Sequence, residues 1–386
     1  MTGSTRVVIV GGGYTGALAA IRLAGKARKK VETVLLDADG MLVQRLRLHQ
    51  VAAGQNIKQV PLTRLTRHRG VEHVRGRAVG VDVAGGRVEF ETGSLPYDRL
   101  VLATGSTIDR QGVPGTDEHA YTLADTGAAL RLRSALDAAV PGSSVAVVGG
   151  GMTGIEAVTE IAAARPDLRV SLVTGAPLGD WLSAAGREYL AAAMTRMDIE
   201  VVDEARVKEV GARALQLADG GTVPAAITVW CGGFTGFPLA REAGLAVDGQ
   251  DRVLVDDLLQ SVSHPQILAI GDAANLPKLR NGAAVRMTCQ AGMPTAAHAA
   301  DVLAAQAKGA TATPFDFGYL HQPISLGRKD ALIQWVDRAD VPKPKILTGR
   351  KAAIYKNVVC RSAISGMVWE RRFPGMLRWP GAGSAA

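Results

Sequence analysis

The sequence predicts an α/β fold with two units of parallel sheet and a small C-terminal lobe, and two similar segments carry that prediction. Residues 7–16 read VVIVGGGYTG and residues 145–156 read VAVVGGGMTGIE, so a branched apolar run leads twice into a glycine-rich turn. A helix pattern follows each turn, as it does where a strand, a tight turn and a helix open a βαβ unit. In a chain of 386 residues, which is long for one core, this duplication predicts two Rossmann-like dinucleotide-binding domains.

The other predicted elements repeat the same order in both halves of the body. They are a strand at 31–37 (VETVLLD), antiparallel meanders near 70–100 and 206–230, a last strand at 266–272 and an alanine-rich helix from about 291 to 307.

This order suggests that the second domain is inserted into the first. We expect residues 1–110 and 256–320 to form the first dinucleotide-binding domain and residues 111–255 to form the second. Residues 321–386 form the basic C-terminal lobe.

Composition excludes several classes of protein. Hydrophobic residues make up 47% and charged residues 21%, which is usual for a soluble globular enzyme and excludes a disordered chain. Aromatic residues are only 4%, which argues against a protein that stacks nucleic-acid bases. The net charge of +8 belongs to the tail, because nine basic residues after position 341 face Glu370 as the single acid. We therefore expect no nucleic-acid partner.

The cysteines and the N-terminus bear on the compartment. Cys231, Cys289 and Cys360 are far apart and form no CxxC or CxxxxC, so neither a disulfide framework nor a metal site is expected. No apolar stretch approaches the roughly 20 residues that span a bilayer, and the start of the chain leaves no room for a signal peptide. We expect a cytoplasmic protein, with peripheral contact to the inner face of the membrane as an option for its basic lobe.

The first glycine turn has the residue types that hold a dinucleotide. Gly11 permits the tight turn, Gly13 lets the backbone approach the pyrophosphate, and Gly16 lets the helix lie against the sheet. An acid about 20 residues further on binds the ribose in such units, and Asp37 closes the second strand. Tyr14 and Thr15, at the start of the helix, are the neighbouring candidate contacts.

The second turn repeats the pattern with one difference. Its candidate cofactor contacts are Gly149, Gly151, Met152, Thr153 and Gly154. The strand that follows ends in Thr174 instead of an acid, so the carboxylate that would bind the 2′-hydroxyl of NADH is missing. Preference for NADPH, or indifference between NADH and NADPH, remains open.

Taken together, the motifs resemble those of the two-dinucleotide-binding flavoproteins, the pyridine nucleotide-disulfide oxidoreductase superfamily. VLATGS at 101–106 is similar to the crossover between the two units, and ILAIGDAA at 267–274 is similar to the late flavin motif. The resemblance implies FAD in the first unit and NAD(P)H in the inserted second. It also implies that Asp272, after Gly271, binds the ribityl chain, and that Thr104 and Gly105 lie beside the cofactor.

Three further segments resemble type II NADH:quinone oxidoreductases and the small apoptosis-inducing-factor-like reductases. These are VQRLRLHQVAAG at 43–54, GGGMTGIEAVTEI at 149–161 and TCQAG at 288–292. The first contains no cysteine, so a dithiol relay is excluded. The resemblance implies that an acid of the second helix, Glu156 or Glu160, lies near the meeting place of flavin and nicotinamide. It implies that Gln290 lies on the quinone side.

Residues 45–49 depart from that pattern and leave the acceptor open. Arg45, Arg47 and His49 replace residues that are mostly apolar or aromatic in those reductases, and a polar flavin face suits a more polar acceptor. Three hypotheses follow: a quinone reductase, a soluble enzyme for a protein electron carrier or a specialised metabolite, and a non-catalytic sensor whose dimerisation responds to NAD(P)H. We treat His49 as a candidate proton donor and Arg45 as a candidate cofactor contact.

Each of these polar candidates also has a structural explanation. The two glutamates could form a solvated helix face, His49 could be a surface histidine, and the arginines could pair with surface acids.

Two hypotheses also remain for the tail. Apolar residues at helical spacing lie beside basic ones, which suits an interface with anionic lipid headgroups. The alternative is a lobe that packs on the first unit or across a homodimer. The residues concerned are Ile354, Tyr355, Val358, Val359, Trp369, Phe373 and Trp379.

Overall fold

The computed structural model describes residues 4–67, 70–279 and 281–379 and confirms the α/β prediction. The strands are β1 Thr5–Val10, β2 Val31–Asp37, β3 Val71–Arg75, β4 Ala78–Asp82, β5 Arg87–Phe90, β6 Gly93–Pro96, β7 Arg99–Leu102, β8 Thr107–Ile108, β9 Ala120–Thr122, β10 Ser144–Val148, β11 Arg169–Val173, β12 Ile199–Val202, β13 Val207–Val210, β14 Ala214–Leu217, β15 Thr222–Pro224, β16 Ile227–Trp230, β17 Phe234–Thr235, β18 Val253–Leu254, β19 Ile267–Ala269, β20 Ala274–Asn275, β21 His321–Ser325, β22 Ala331–Val336 and β23 Pro342–Thr348. The helices are α1 Tyr14–Ala27, α2 Leu48–Ala52, α3 Leu62–Thr66, α4 Thr116–His119, α5 Thr126–Ala138, α6 Met152–Ala164, α7 Ala184–Arg196, α8 Leu239–Glu242, α9 Cys289–Ala307 and α10 Gly349–Arg372.

The first unit is a parallel sheet in the order β19-β7-β1-β2-β3. Residues 7–10 of its central strand are all buried, because helices and loops cover both faces of a parallel sheet. This burial explains why β1 is a continuous apolar run. Helix α1 leaves the end of β1 and packs against both β2 and α9.

The second unit repeats this plan with the sheet order β12-β11-β10-β16-β9. Its central strand β10 leads into α6 as β1 leads into α1. The chain crosses between the units twice, and the crossings pair as the antiparallel strands β8 and β17. β19 then returns the chain to the first sheet beside β7.

Both predicted meanders are present, within narrower limits. β4-β5-β6 and β13-β14-β15 are three-stranded antiparallel sheets. The flanking strands β3 and β7 belong to the parallel sheet instead, so the predicted meander at 70–100 was too long. β3 is an edge strand with no fully buried residue, so it lacks the continuous apolar run that marks a central parallel strand.

The C-terminal lobe consists of the antiparallel sheet β21-β22-β23 and the 24-residue helix α10. α10 packs against α1 and β22. Trp379, one of the residues considered for a lipid interface, packs against the core of the first unit. One face of α10 therefore packs on the first unit, as one of the two hypotheses for the tail expects. Another face keeps Ile354, Val358 and Trp369 exposed.

A buried ion-pair network fastens this lobe to the first unit. The Arg22 guanidinium of α1 donates to both carboxylate oxygens of Asp301 in α9, at 2.8 and 2.7 Å, and to Glu370 of α10 at 3.0 Å. Glu370 is 0% exposed, and its second oxygen accepts from the Leu377 amide at 2.9 Å. One arginine therefore joins three helices.

We predict that Glu370→Gln destabilises the protein by about 3 kcal/mol, because removing one charge of a buried network leaves Arg22 incompletely paired. The measurement is the melting temperature of the flavin-loaded protein. The control is Asp137→Asn, which breaks the exposed pair between Arg133 and Asp137 on α5 and should have a far smaller effect. Equal shifts for the two variants would contradict a structural role for the network.

Candidate functional site

The three glycines of the first turn are required for three different reasons. Gly11 has φ +105°, and a Cβ there would lie 2.4 Å from the carbonyl oxygen of Ala103. A Cβ at Gly16 would lie 1.8 Å from the carbonyl oxygen of Gly11, so only glycine lets the helix approach the turn. A Cβ at Gly13 would meet nothing within 4 Å. Gly13 therefore faces open space beside the turn, where a pyrophosphate would lie.

The second turn reproduces this geometry. Gly149 has φ +120°, and its Cβ would lie 2.4 Å from the Cys231 carbonyl oxygen. A Cβ at Gly154 would lie 1.8 Å from the carbonyl oxygen of Gly149, and one at Gly151 would meet nothing within 4 Å. The two turns are thus structural duplicates.

Both helices begin with backbone amides that no side chain caps. Gly13 and Gly151 are the N-cap residues of α1 and α6, and neither first turn contains an acid. Amides left without partners, together with the positive end of the helix dipole, form an anion site. Met152 and Thr153 begin α6 as Tyr14 and Thr15 begin α1. The two turns therefore fit two dinucleotides.

The first helix start packs tightly against the late motif. A Cβ at Gly271 or Gly292 would lie 2.8 or 2.9 Å from the Thr15 side chain. Tyr14 is buried, and burial raises the pKa of its hydroxyl. The predicted contacts Tyr14, Thr15 and Gly271 therefore meet at one place.

The ends of the second strands differ between the units. In the first unit the Asp37 carboxylate accepts from the Gly12 amide at 2.8 Å. In the second unit Thr174 occupies the equivalent place, since a Cβ at Gly150 would lie 2.3 Å from its hydroxyl oxygen. The acid expected for a ribose is present only in the first unit.

Arg45 lies where the chain leaves the first unit. Its guanidinium donates to the Ser106 carbonyl at 2.6 Å and lies 5.4 Å from the centre of the Phe234 ring. The Ser106 hydroxyl donates to Asp272 at 2.7 Å, next to Thr104 and to Gly105, which has φ +74°. Burial lowers the pKa of Arg45.

Within residues 4–67, 70–279 and 281–379, the arginines at 45 and 47 therefore form no ion pair with a surface acid. Arg45 binds the crossover backbone, and Arg47 donates to the Asn357 side chain of α10 at 2.6 Å.

A buried polar cluster lies between α2, α6 and α10. Lys356 Nζ is 2.9 Å from Glu156 Oε1 and donates to the Pro323 carbonyl at 2.9 Å. The Ser325 amide donates to the same glutamate oxygen at 3.0 Å. His49 Nδ1 lies 3.7 Å from Glu156 Oε2. His49, Glu156 and Lys356 are all at most 8% exposed, so the alternatives of a solvated glutamate and a surface histidine are wrong.

The charges in this cluster follow from burial and mutual pairing. Burial raises the pKa of Glu156, but Lys356, His49 and the Ser325 amide outweigh it and hold the pKa below its ordinary value. Burial lowers the pKa of Lys356, but Glu156 outweighs it and the pKa is raised. Burial lowers the pKa of His49, so this histidine is neutral at neutral pH. The cluster is an ion pair beside a neutral imidazole.

Glu160 has a different environment one helical turn away. Its carboxylate accepts from Gln55 and from Arg328 Nε, the latter at 3.3 Å, and burial raises its pKa. Glu160 therefore joins α6 to the loop after α2 and to the β21–β22 turn.

Gln290 joins α9 to the C-terminal lobe. Its amide donates to the His321 carbonyl at 2.8 Å and accepts from the Leu320 amide at 3.0 Å. Its proposed place on the quinone side stays a prediction. His321 packs against Trp335 and Tyr355. Its pKa is lowered to about 4, mainly because the ring is buried and also because the positive charge of Lys356 is close.

Lys356 is the site residue that sequence reasoning missed, because its charge was counted with the basic tail. A signal was present in the helix period. The buried residues of α10 include Ala352, Lys356, Cys360, Ala363, Met367 and Glu370, which recur every three or four positions. A lysine on that apolar stripe requires a buried partner.

Comparison with known proteins agrees with this geometry. The family model described as pyridine nucleotide-disulphide oxidoreductase matches residues 5–301, which include both glycine turns. The chain is 31% identical over 319 residues to an NADH dehydrogenase-like protein of Mycobacterium tuberculosis, with 76% of this chain and 79% of that protein covered.

The names of two other relatives mention an electron carrier or an electron acceptor. A ferredoxin–NAD(+) reductase component of the biphenyl dioxygenase system of Paraburkholderia xenovorans is 32% identical over 296 residues, which cover 72% of this chain and 69% of that protein. A type II NADH:quinone oxidoreductase of Mycobacterium tuberculosis is 28% identical over 393 residues, which cover 86% and 79%.

We predict that Gly13→Val leaves the protein folded but without bound FAD. The new side chain meets no protein atom, yet it fills the space beside the uncapped helix start. Gly151→Val should keep the flavin and abolish its reduction by NAD(P)H. Flavin absorbance after purification and after anaerobic NAD(P)H addition gives both results, and each variant is the control for the other. Full flavin content in Gly13→Val would show that the first turn does not hold it.

The cluster also predicts a pH dependence. Because the pKa of Glu156 is lowered in the folded protein, its ionised carboxylate stabilises the fold at pH values above the ordinary pKa of 4.5. This stabilisation is lost as pH falls through the pKa of the folded state. Because the pKa of Lys356 is raised in the folded protein, its ammonium group stabilises the fold at pH values below the ordinary pKa of 10.5. This stabilisation is lost as pH rises through the pKa of the folded state. We therefore expect Glu156→Gln to cost about 3 kcal/mol at pH 7 and progressively less below pH 4.5. Thermal unfolding across pH measures this difference, and a penalty independent of pH would exclude the ion pair as its cause.

Proposed function

The chain belongs to the pyridine nucleotide-disulphide oxidoreductase family, and we propose that it passes reducing equivalents from NAD(P)H through FAD to a quinone-type acceptor. The observation that carries this proposal is the pair of dinucleotide turns with the same geometry, together with the buried Glu156–Lys356 ion pair that joins the second unit to the C-terminal lobe. The protein is an oxidoreductase whose cofactors are FAD and NAD(P)H.

We assign FAD to the first turn and the nicotinamide nucleotide to the second. The carboxylate of Asp37 at the strand end supports a ribose contact in the first unit. Asp272, positioned by Ser106, supports the contact to the flavin's side chain that the sequence motif implies. Bound FAD supplies the chemistry that accepts a hydride and releases electrons, and the residues of the chain position and shield it.

The buried cluster supports a role in proton supply. Reduction of a quinone to its hydroquinone consumes protons as well as electrons. Lys356 Nζ lies 2.9 Å from Glu156 Oε1, and His49 Nδ1 lies 3.7 Å from the other oxygen of the same carboxylate. The raised pKa of Lys356 keeps it protonated at neutral pH, and burial shields that proton from water; a proton passed to the acceptor would be replaced from solvent.

The outer face of α10 supports an acceptor that dissolves in a membrane. Ile354 is 60%, Val358 58% and Trp369 51% exposed on this basic helix, and Phe373 follows at 49%. Exposed apolar side chains beside basic residues suit the surface of an anionic bilayer. In the part of the chain that the structure describes, no helix combines the length and apolarity needed to cross a membrane. We therefore propose peripheral attachment to the cytoplasmic face of the membrane.

A ferredoxin-type carrier is the second candidate acceptor. It is favoured by the ferredoxin–NAD(+) reductase relative and by the basic C-terminal lobe, which would attract an acidic protein.

We predict that Lys356→Met leaves anaerobic flavin reduction by NAD(P)H unchanged and slows reoxidation by a short-chain quinone roughly a hundredfold, the scale of lost acid catalysis. Lys345→Met, which removes an exposed cation of β23, is the control and should not change either rate. Stopped-flow spectroscopy of the two half-reactions measures both. Fast reoxidation by ferredoxin with none by quinone would select the second candidate.

We also predict binding to vesicles of anionic lipid that weakens as salt is raised. Ile354→Glu and Trp369→Glu should each reduce this binding about tenfold without lowering the melting temperature, because both side chains are exposed. Val140→Glu, an equally exposed site at the end of α5, should have no effect. Vesicle co-sedimentation measures the binding. If Ile354→Glu instead converts a dimer to a monomer in size-exclusion chromatography, the face joins two copies of the chain.

A further inference from the structure

A cavity lies beside the second glycine turn. It has a volume of about 590 Å³, within the range of small-molecule sites. Gly151, Thr174, Asp180, Arg206 and Trp230 are among the residues that line it. The cavity thus joins the phosphate-binding turn to the end of β11, where the adenosine ribose lies in a Rossmann unit.

The strand end at this cavity lacks a carboxylate for a free ribose hydroxyl. Asp37 fills that place in the first unit, where its carboxylate accepts from the Gly12 amide at 2.8 Å. Thr174 replaces it in the second, and its hydroxyl donates to the Ala176 carbonyl at 3.2 Å. A 2′-phosphate would therefore meet no carboxylate at this strand end.

Arg206 lies beside that strand end. The Ala205 amide donates to the Thr174 carbonyl at 2.9 Å, so Arg206 is the next residue along from the end of β11. Its side chain is exposed at the cavity and has no carboxylate partner among the residues that the structure describes. By contrast, Arg110, Arg165 and Arg196 each pair with an aspartate. An unpaired guanidinium at the rim of a nucleotide cavity is suited to a phosphate.

We propose that Arg206 binds the 2′-phosphate of NADPH and makes NADPH the preferred hydride donor, an inference that rests on the proposed function of the second turn. The opposing possibility is that Asp180, on the same cavity, binds the 2′-hydroxyl of NADH.

Binding of adenosine nucleotides to the FAD-loaded protein tests this without any acceptor. Adenosine 2′,5′-bisphosphate and adenosine 5′-monophosphate differ only in the 2′-phosphate, and calorimetry gives a Kd for each. We expect the bisphosphate to bind roughly ten- to a hundredfold more tightly, the scale of a charge-assisted hydrogen bond. Arg206→Ala should remove this preference and leave the Kd of the monophosphate unchanged. Lys208→Ala, which removes an exposed cation of β13 outside the cavity lining, should leave both values unchanged.

Two results would overturn the inference. One is equal binding of the two nucleotides to the wild-type protein, and the other is an undiminished preference in Arg206→Ala. A loss of NADH turnover in Asp180→Asn together with poor turnover of NADPH would assign the ribose to Asp180 instead. Flavin reduction by NADH without any 2′-phosphate preference would refute the role of Arg206 and leave the proposed function intact. Tight binding of the bisphosphate without flavin reduction by NADPH or NADH would support the role of Arg206 and refute the proposed function.

Discussion

The close approach of a helix start to the turn before it is the constraint on which this structure depends. A Cβ at Gly16 or Gly154 would lie 1.8 Å from a backbone carbonyl oxygen, so any side chain there would push the helix off the sheet. The approach leaves the first amides of α1 and α6 directed at open space, with no side chain to cap them. Such amides form a binding site for an anion, and a dinucleotide's pyrophosphate fits it. In both sheet orders the strand that leads into the turn, β1 or β10, is the central one, so each turn lies at the end of a buried strand.

Duplication of that unit creates the boundary where the chemistry is expected. α2 from the first unit, α6 from the second and α10 from the C-terminal lobe meet at His49, Glu156 and Lys356. Burying one carboxylate or one ammonium alone is costly, so the cluster holds only when all three elements are in register. The Arg22 network performs a similar task near the C-terminal end of α10, where it joins the helix to α1 and α9. The lobe therefore contributes Lys356 to the buried cluster, and α10 keeps exposed apolar residues on another face.

Sequence reasoning was strongest where function depends on neighbouring residues. Gly11, Gly13 and Gly16 lie within six positions, and the reason for glycine at each of them is a local steric one. It was weakest where contacts join distant segments. Lys356 pairs with Glu156, which lies 200 positions earlier in the sequence, and the residues around Lys356 do not indicate this partner. The strands β21–β23 were not predicted, because their apolar residues pack against α7 and α10 and do not alternate regularly. Arg206 gains its interest only from its position beside Thr174 in the folded chain.

The central claim is that the two turns hold their dinucleotides so that nicotinamide and flavin meet at the boundary between the units. Rapid anaerobic mixing of the FAD-loaded protein with NADPH, followed across the visible spectrum, tests this most directly. Stacked nicotinamide and flavin give a broad long-wavelength charge-transfer band, and we predict that this band accompanies loss of the flavin absorbance. The same mixing with Gly151→Val should give neither change. Flavin that stays oxidised in the wild-type protein with both NADPH and NADH would contradict the account.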